Sequence, residues 1–127
     1  MSFEKVNSWA KVNLSLNVIK RLSNKHHNIE SLITFVKIYD EIKIKISKER
    51  EHKIYFTGKF SKGIPKNNTI LKLLNLLEKK KIIKNKKFEI KVKKNIPQKS
   101  GMGGGSMNAA SVLKYLIKKK IIKISNK

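Results

Sequence analysis

A chain of 127 residues with 39% hydrophobic content is long enough for one modest core and too short for two. It has no cysteine, which excludes disulfides, thiolate metal ligands and cysteine nucleophiles together. The net charge of +23 points to an anionic partner, yet of 31 basic residues only Arg21 and Arg50 are arginine, the residue nucleic-acid readers favour for bidentate contacts, so a lysine-coated solvated surface is the preferred reading and neither nucleic acid nor membrane is the expected partner.

The start, Met1-Ser2-Phe3-Glu4-Lys5, lacks a signal-peptide pattern, and no apolar run reaches membrane-spanning length. A cytoplasmic setting is the expectation. Residues 3–9 and 12–20 carry apolar runs and alternation (Val12, Leu14, Leu16, Val18) and read as two strands or one bent strand. Asn24-Lys25-His26-His27-Asn28 reads as a loop, Ile29 to Ile38 as a strand, and Tyr39-Asp40 as a turn. Ile42, Ile44 and Ile46 alternate with lysines, as in a strand with one solvated face. Ile54-Tyr55-Phe56 is a short strand, followed by a loop through Gly58, Gly63 and Pro65. From Asn68 the period changes: Ile70, Leu73, Leu74 and Leu77 form the stripe of an amphipathic helix. Phe88, Ile90 and Val92 restore the strand pattern, and Ala109, Val112, Leu113, Leu116 and Ile117 form a second helical stripe. Early strands adjacent in sequence, mixed with two helices, favour an α+β fold over a doubly wound sheet.

Four of the six glycines, Gly101, Gly103, Gly104 and Gly105, fall between the last strand and the last helix. Glycine is costly in regular structure, so the cluster suggests a backbone that turns sharply and approaches a ligand. A glycine loop opening a helix offers free N–H groups and the positive end of a helix dipole, which suits phosphate. The Walker pattern fails for want of Gly-Lys-Ser/Thr, and the dinucleotide pattern fails because Ser106 stands where its third glycine belongs.

Ala10-Lys11-Val12-Asn13-Leu14-Ser15-Leu16 resembles the Ala-Lys-x-Asn-Leu-x-Leu opening of the GHMP kinase superfamily. His26-His27-Asn28-Ile29-Glu30-Ser31-Leu32 resembles the Tyr-His-x-Leu-x-Thr/Ser-Leu stretch of its cytidyl-methylerythritol branch, and Asn68-Thr69-Ile70 resembles an Asn-Leu-Ile that starts a helix. Pro97 to Ala110 resembles Pro-Met-Gly-Gly-Gly-Leu-Gly-Gly-Gly-Ser-Ser-x-Ala-Ala. Four motifs in the right order along almost the whole chain are far more specific than a glycine loop alone.

The resemblance implies a GHMP kinase N-terminal domain over residues 1–127, similar to ribosomal protein S5 domain 2: a mixed or antiparallel sheet with helices on one face. It implies transfer of the γ-phosphate of ATP, with Mg²⁺, to a hydroxyl of a cytidine-diphosphate-linked methylerythritol in isoprenoid precursor synthesis. Lys11 would be the catalytic lysine beside the acceptor hydroxyl. Asn68 would contact adenine. Pro97, Gln98, Lys99, Ser100, Gly101, Met102, Gly103, Gly104, Gly105, Ser106 and Met107 would form the ATP loop, with Ser106 also helping to hold Mg²⁺. Asn13, His26, His27 and Lys94 would contact the cytidyl substrate. Departures exist: Gln98-Lys99-Ser100 stand where the family often has Met-Gly-Gly, Met107 replaces a serine, and His26 replaces a stacking tyrosine. The family's catalytic aspartate lies in a Gly-x-Asp-Val-Pro-Phe stretch beyond the point reached by Lys127. The resemblance therefore implies an incomplete domain, a missing C-terminal half as partner, and little activity for the chain alone. A basic nucleic-acid module of S5-like shape is the main alternative, and another GHMP kinase, acting on mevalonate, homoserine or galactose, is the second. Against the first stands an expectation that Trp9, Tyr39, Tyr55 and Phe56 do not interleave with a basic stripe.

Overall fold

A computed structural model of the chain describes residues 2–10, 38–97 and 104–123. Four strands and two helices follow in order: β1 (Glu4–Trp9), β2 (Tyr39–Ser47), β3 (Lys53–Thr57), α1 (Thr69–Lys79), β4 (Lys87–Lys93) and α2 (Gly104–Lys118). The strands expected within 12–20 and 29–38 lie outside the described residues, apart from Ile38. The sheet order is β1-β2-β4-β3. β1 pairs antiparallel with β2, and β2 with β4, whereas β3 and β4 run parallel. That last pair is joined through α1, because parallel neighbours need a crossover rather than a hairpin.

Alternation decides which way the sheet faces. Ile42 and Ile44 of β2 and Phe88, Ile90 and Val92 of β4 are buried, and Ile42 stands opposite Val92 while Ile44 stands opposite Ile90. Ile70, Leu74 and Leu77 of α1 and Val112 and Leu116 of α2 complete the same core. Each such side chain contributes about 1.5–3 kcal/mol relative to exposure. The opposite face carries lysines, with Lys5, Lys43 and Lys91 in one row across the sheet. Phe3 lies beneath the ammonium groups of Lys45 and Lys91, at 4.6 and 4.8 Å, and Trp9 packs on Tyr39 with ring centroids 4.7 Å apart.

Tyr39-Asp40 is not a turn. Both residues open β2, opposite Trp9 and Ser8 of β1. Aspartate's local preference for turns is overridden here by hydrogen bonds to residues distant in sequence. At the far end of β3, Gly58 has φ +95°, and a Cβ there would sit 2.8 Å from the Lys94 carbonyl oxygen. Only glycine allows the chain to pass this close to the end of β4. The Lys94 N–H donates to the Thr57 carbonyl at 2.7 Å, fixing the backbone that carries the Lys94 side chain.

His52 plugs the other end of the sheet. Its side chain is 3% exposed, and its Nδ1 accepts the Phe88 N–H at 3.1 Å. The ring lies nearly parallel to Phe88, 6.1 Å away. Nε2 is 3.3 Å from Glu78 Oε1 but lacks hydrogen-bond geometry, so that contact is electrostatic only. Glu78 is also held by Lys87, whose hydrogen bond keeps its carboxyl below the usual range. Burial lowers the His52 pKa from 6.5, with Lys87 acting in the same direction and Glu78 opposing. An acceptor Nδ1 cannot carry a proton, so the unfolded chain protonates first as pH falls. Stability contributed by neutral His52 is complete above the ordinary imidazole value and lost as pH drops through the lower native one. Urea midpoints are expected to fall between about pH 7 and pH 5, and the fall should shrink in His52→Asn. Equal slopes in both proteins would refute this.

Candidate functional site

The starts of the two helices meet. Asn68 caps α1: its Oδ1 accepts the Leu71 N–H at 3.0 Å, and its amide nitrogen donates to the Lys66 carbonyl at 3.1 Å. The next residue, Thr69, donates its hydroxyl to the Gly105 carbonyl of α2 at 2.8 Å. One hydrogen bond across 36 residues thus joins the helix that Asn68 opens to the helix that the glycine cluster opens. Neither helix has an acidic residue in its first turn, so no side-chain carboxylate offsets the positive end of either dipole there. Gly105 and Ser106 are exposed at this junction. Met107 is half-buried and lines a groove of about 470 Å³ between β1 and α2 with Val6, Trp9, Ser111 and Tyr115.

Beneath the junction lies a buried polar cluster. Asp40 is fully buried, and each of its oxygens accepts two hydrogen bonds. Oδ1 takes the backbone N–H groups of Asn95 and Ile96, at 2.6 and 2.9 Å. Oδ2 takes Lys94 Nζ at 2.6 Å and Asn108 Nδ2 at 3.0 Å. Lys94 Nζ also donates to Asn108 Oδ1 at 2.8 Å, and Asn108 Nδ2 donates to Ser8 Oγ at 3.0 Å. Ser111 Oγ lies 3.0 Å from Ser8 Oγ and closes the cluster. A charge buried this deeply is stable only when paired and fully hydrogen-bonded, and both conditions hold.

Of the expected site residues, Asn68, Gly104, Gly105 and Ser106 come together at the helix junction, and Pro97 follows the strand segment anchored by Asp40. The Lys94 side chain, expected at the substrate, is 4% exposed, and its ammonium group is directed into the cluster. Lys11, Asn13, His26, His27, Gln98, Lys99, Ser100, Gly101, Met102 and Gly103 lie outside the described residues. Among the described residues, no three His, Asp or Glu side chains group as metal ligands, and no helix is long and apolar enough to cross a membrane. Asp40, Thr69 and Asn108 were missed as site-building residues. A signal existed for the first, since Asp40 is the single aspartate of a lysine-rich chain.

The outer sheet face departs from expectation in one respect. Phe3, Trp9, Tyr39 and Tyr55 do share it with lysines of β1, β2 and β4, whereas Phe56 packs toward the core.

Residues 68–126, which include α1, β4 and α2, match the family model of the GHMP kinases N terminal domain. The fold is that of a GHMP kinase N-terminal domain, a mixed four-stranded sheet with two helices. Over 98% of its length it is 60% identical to the 4-diphosphocytidyl-2-C-methyl-D-erythritol kinase of Pelagibacter ubique, and it spans 44% of that protein. It is 40% identical over 89% of its length to the kinase of the same name from Clostridioides difficile, spanning 38% of that chain. A solved homoserine kinase from Cytophaga hutchinsonii superposes on 65% of the chain, and 28% of its own, with a TM-score of 0.50 at 25% identity. The chain therefore spans less than half the length of the curated relatives it matches.

Proposed function

We propose that this chain is the nucleotide-binding part of an ATP-dependent kinase acting on a hydroxyl of 4-diphosphocytidyl-2-C-methyl-D-erythritol, the substrate in the name of its relatives. The observation that carries the nucleotide half of this reading is Gly105. It is exposed and helical, and among the described residues a Cβ there would meet only Thr69, at ordinary contact distances of 3.8 and 3.9 Å. The described surroundings do not require glycine at this position, and alanine is the better helix former, by up to about 1 kcal/mol in a helix interior. A glycine kept against that preference fits a backbone reserved for close approach by phosphate.

In this reading the first amides of α2 cradle the phosphates, and the second amide proton of Asn68 reads the adenine edge. Lys11 offsets the charge developing on the transferred phosphoryl, while Asn13, His26 and His27 hold the cytidyl group. Mg²⁺ suits the site because phosphate oxygens and water supply most of its ligands, with the exposed Ser106 hydroxyl as the protein donor. Bound there, it would neutralise phosphate charge.

Gly105→Ala separates fold from function. The variant should melt at or slightly above the wild-type temperature yet bind a fluorescent ATP analogue at least about tenfold more weakly. Unchanged affinity, or a wild-type chain that binds no ATP, would overturn the reading. The aromatic and lysine-bearing outer face favours a second one, a single-stranded nucleic-acid surface. Tight, steeply salt-dependent RNA binding that ignores ATP would favour it instead.

A further inference from the structure

We propose that Asp40 is a positioning residue, a buried carboxylate that fixes both anchors of the glycine-rich segment at once. The proposal rests on the nucleotide-binding reading for its consequence, but its geometry stands apart from it. Asn95 and Ile96 lie immediately before that segment, and their backbone N–H groups converge on Oδ1. Asn108 lies on α2 immediately after it, and its amide donates to Oδ2. The described residues on the two sides of that segment thus share a single side chain on β2.

The chemistry requires a carboxylate. An ionised carboxyl accepts at about four lone-pair sites, and four donors from two parts of the chain, residues 94–96 and Asn108, occupy them. An asparagine at position 40 would turn an NH₂ toward the Lys94 ammonium and the Asn108 amide. Lys94 is not a substrate contact in this account. It bridges Asp40 Oδ2 to Asn108 Oδ1 and so sets the distance between β2 and α2. Ser8 supports the far side of Asn108 from β1. Because a loop that binds phosphate through backbone amides has no side chains to correct a misplacement, small shifts at its anchors should be felt directly at the ligand.

The test uses the 127-residue chain and Asn108→Leu, which keeps the branched shape of the side chain and removes the clamp on α2. Two readouts are followed: amide hydrogen exchange, residue by residue, and affinity for a fluorescent ATP analogue. Exchange at Asn95, Ile96 and the first turn of α2 should accelerate about tenfold or more, while Ile42, Ile44 and Ile90 keep wild-type protection. ATP-analogue affinity should fall about tenfold in the same variant, the size seen when a supporting contact to a binding group is lost. Ser111→Ala, which removes a hydroxyl bonded to Ser8 and to neither Asp40 nor Asn108, should change neither readout. Asn108→Ser, too short to reach Lys94, is measured in parallel and must behave as the leucine variant does, so that poor folding of one leaves the other decisive. Uniform acceleration across the sheet, or loosened anchors with unchanged affinity, would reduce Asp40 to an ordinary core residue and overturn the proposal. A wild-type chain without ATP affinity would sink the nucleotide reading alone, since the exchange pattern still decides whether Asp40 holds both anchors.

Discussion

Lys94→Met is expected to cost about 3–5 kcal/mol of folding free energy, the penalty for leaving one member of a buried ion pair uncompensated. Asp40 would stay behind at 0% exposure, with its Oδ2 served only by the Asn108 amide. The cost lies in the stranded charge rather than in the lost attraction. The double variant Asp40→Asn with Lys94→Met should therefore recover most of the loss, ending within about 1–2 kcal/mol of wild type. Its recovery depends on Asn108, whose amide can turn its oxygen toward the NH₂ group introduced at position 40. Urea unfolding of the wild type, both single variants and the double variant measures the cycle. A double variant no more stable than Lys94→Met would show the charge argument mistaken.

Phe88→Ala should be comparably severe, at about 3–5 kcal/mol, because it removes the largest fully buried side chain among the described residues, at the start of the inner strand β4. Phe88 stands opposite Ile46 on β2 and packs with the His52 ring. The backbone N–H that His52 accepts survives the substitution, but the surface that holds the imidazole in place does not. Loss of stability and loss of the His52-dependent acid sensitivity should therefore appear together. Marginal domains hold about 5–15 kcal/mol, so either change takes a large share of the total. A melting temperature within a few degrees of wild type would argue that neighbouring isoleucines close the cavity.

What the sequence made legible follows from how local each signal is. Ile42 and Ile44, and Phe88, Ile90 and Val92, were readable because one face of the sheet is wet and lysines mark it. Ile70, Leu74 and Leu77 were readable as a stripe, and Asn68 as the residue before it, which the structure makes its cap. Asp40 was misread because its partners lie 54 to 68 residues away, beyond any local pattern. His52 gave no periodic signal, since its burial depends on β4 and α1 arriving beside it. The glycine cluster announced itself by composition, but its tie to Thr69 did not. The placement of Asn68 beside Gly105 needed coordinates.

The position of β4 between β2 and β3 governs the order in which the chain can fold during synthesis. β2 and β3 are consecutive in sequence yet are not neighbours in the sheet, and the strand that fills the gap between them is made after both. A nascent chain emerging from the ribosome carries an unfinished sheet with an open slot. The slot closes when residues 87–93 arrive, and the Asp40 carboxylate gains the Asn108 amide only once α2 has been made, so a native-like arrangement of these elements waits for both.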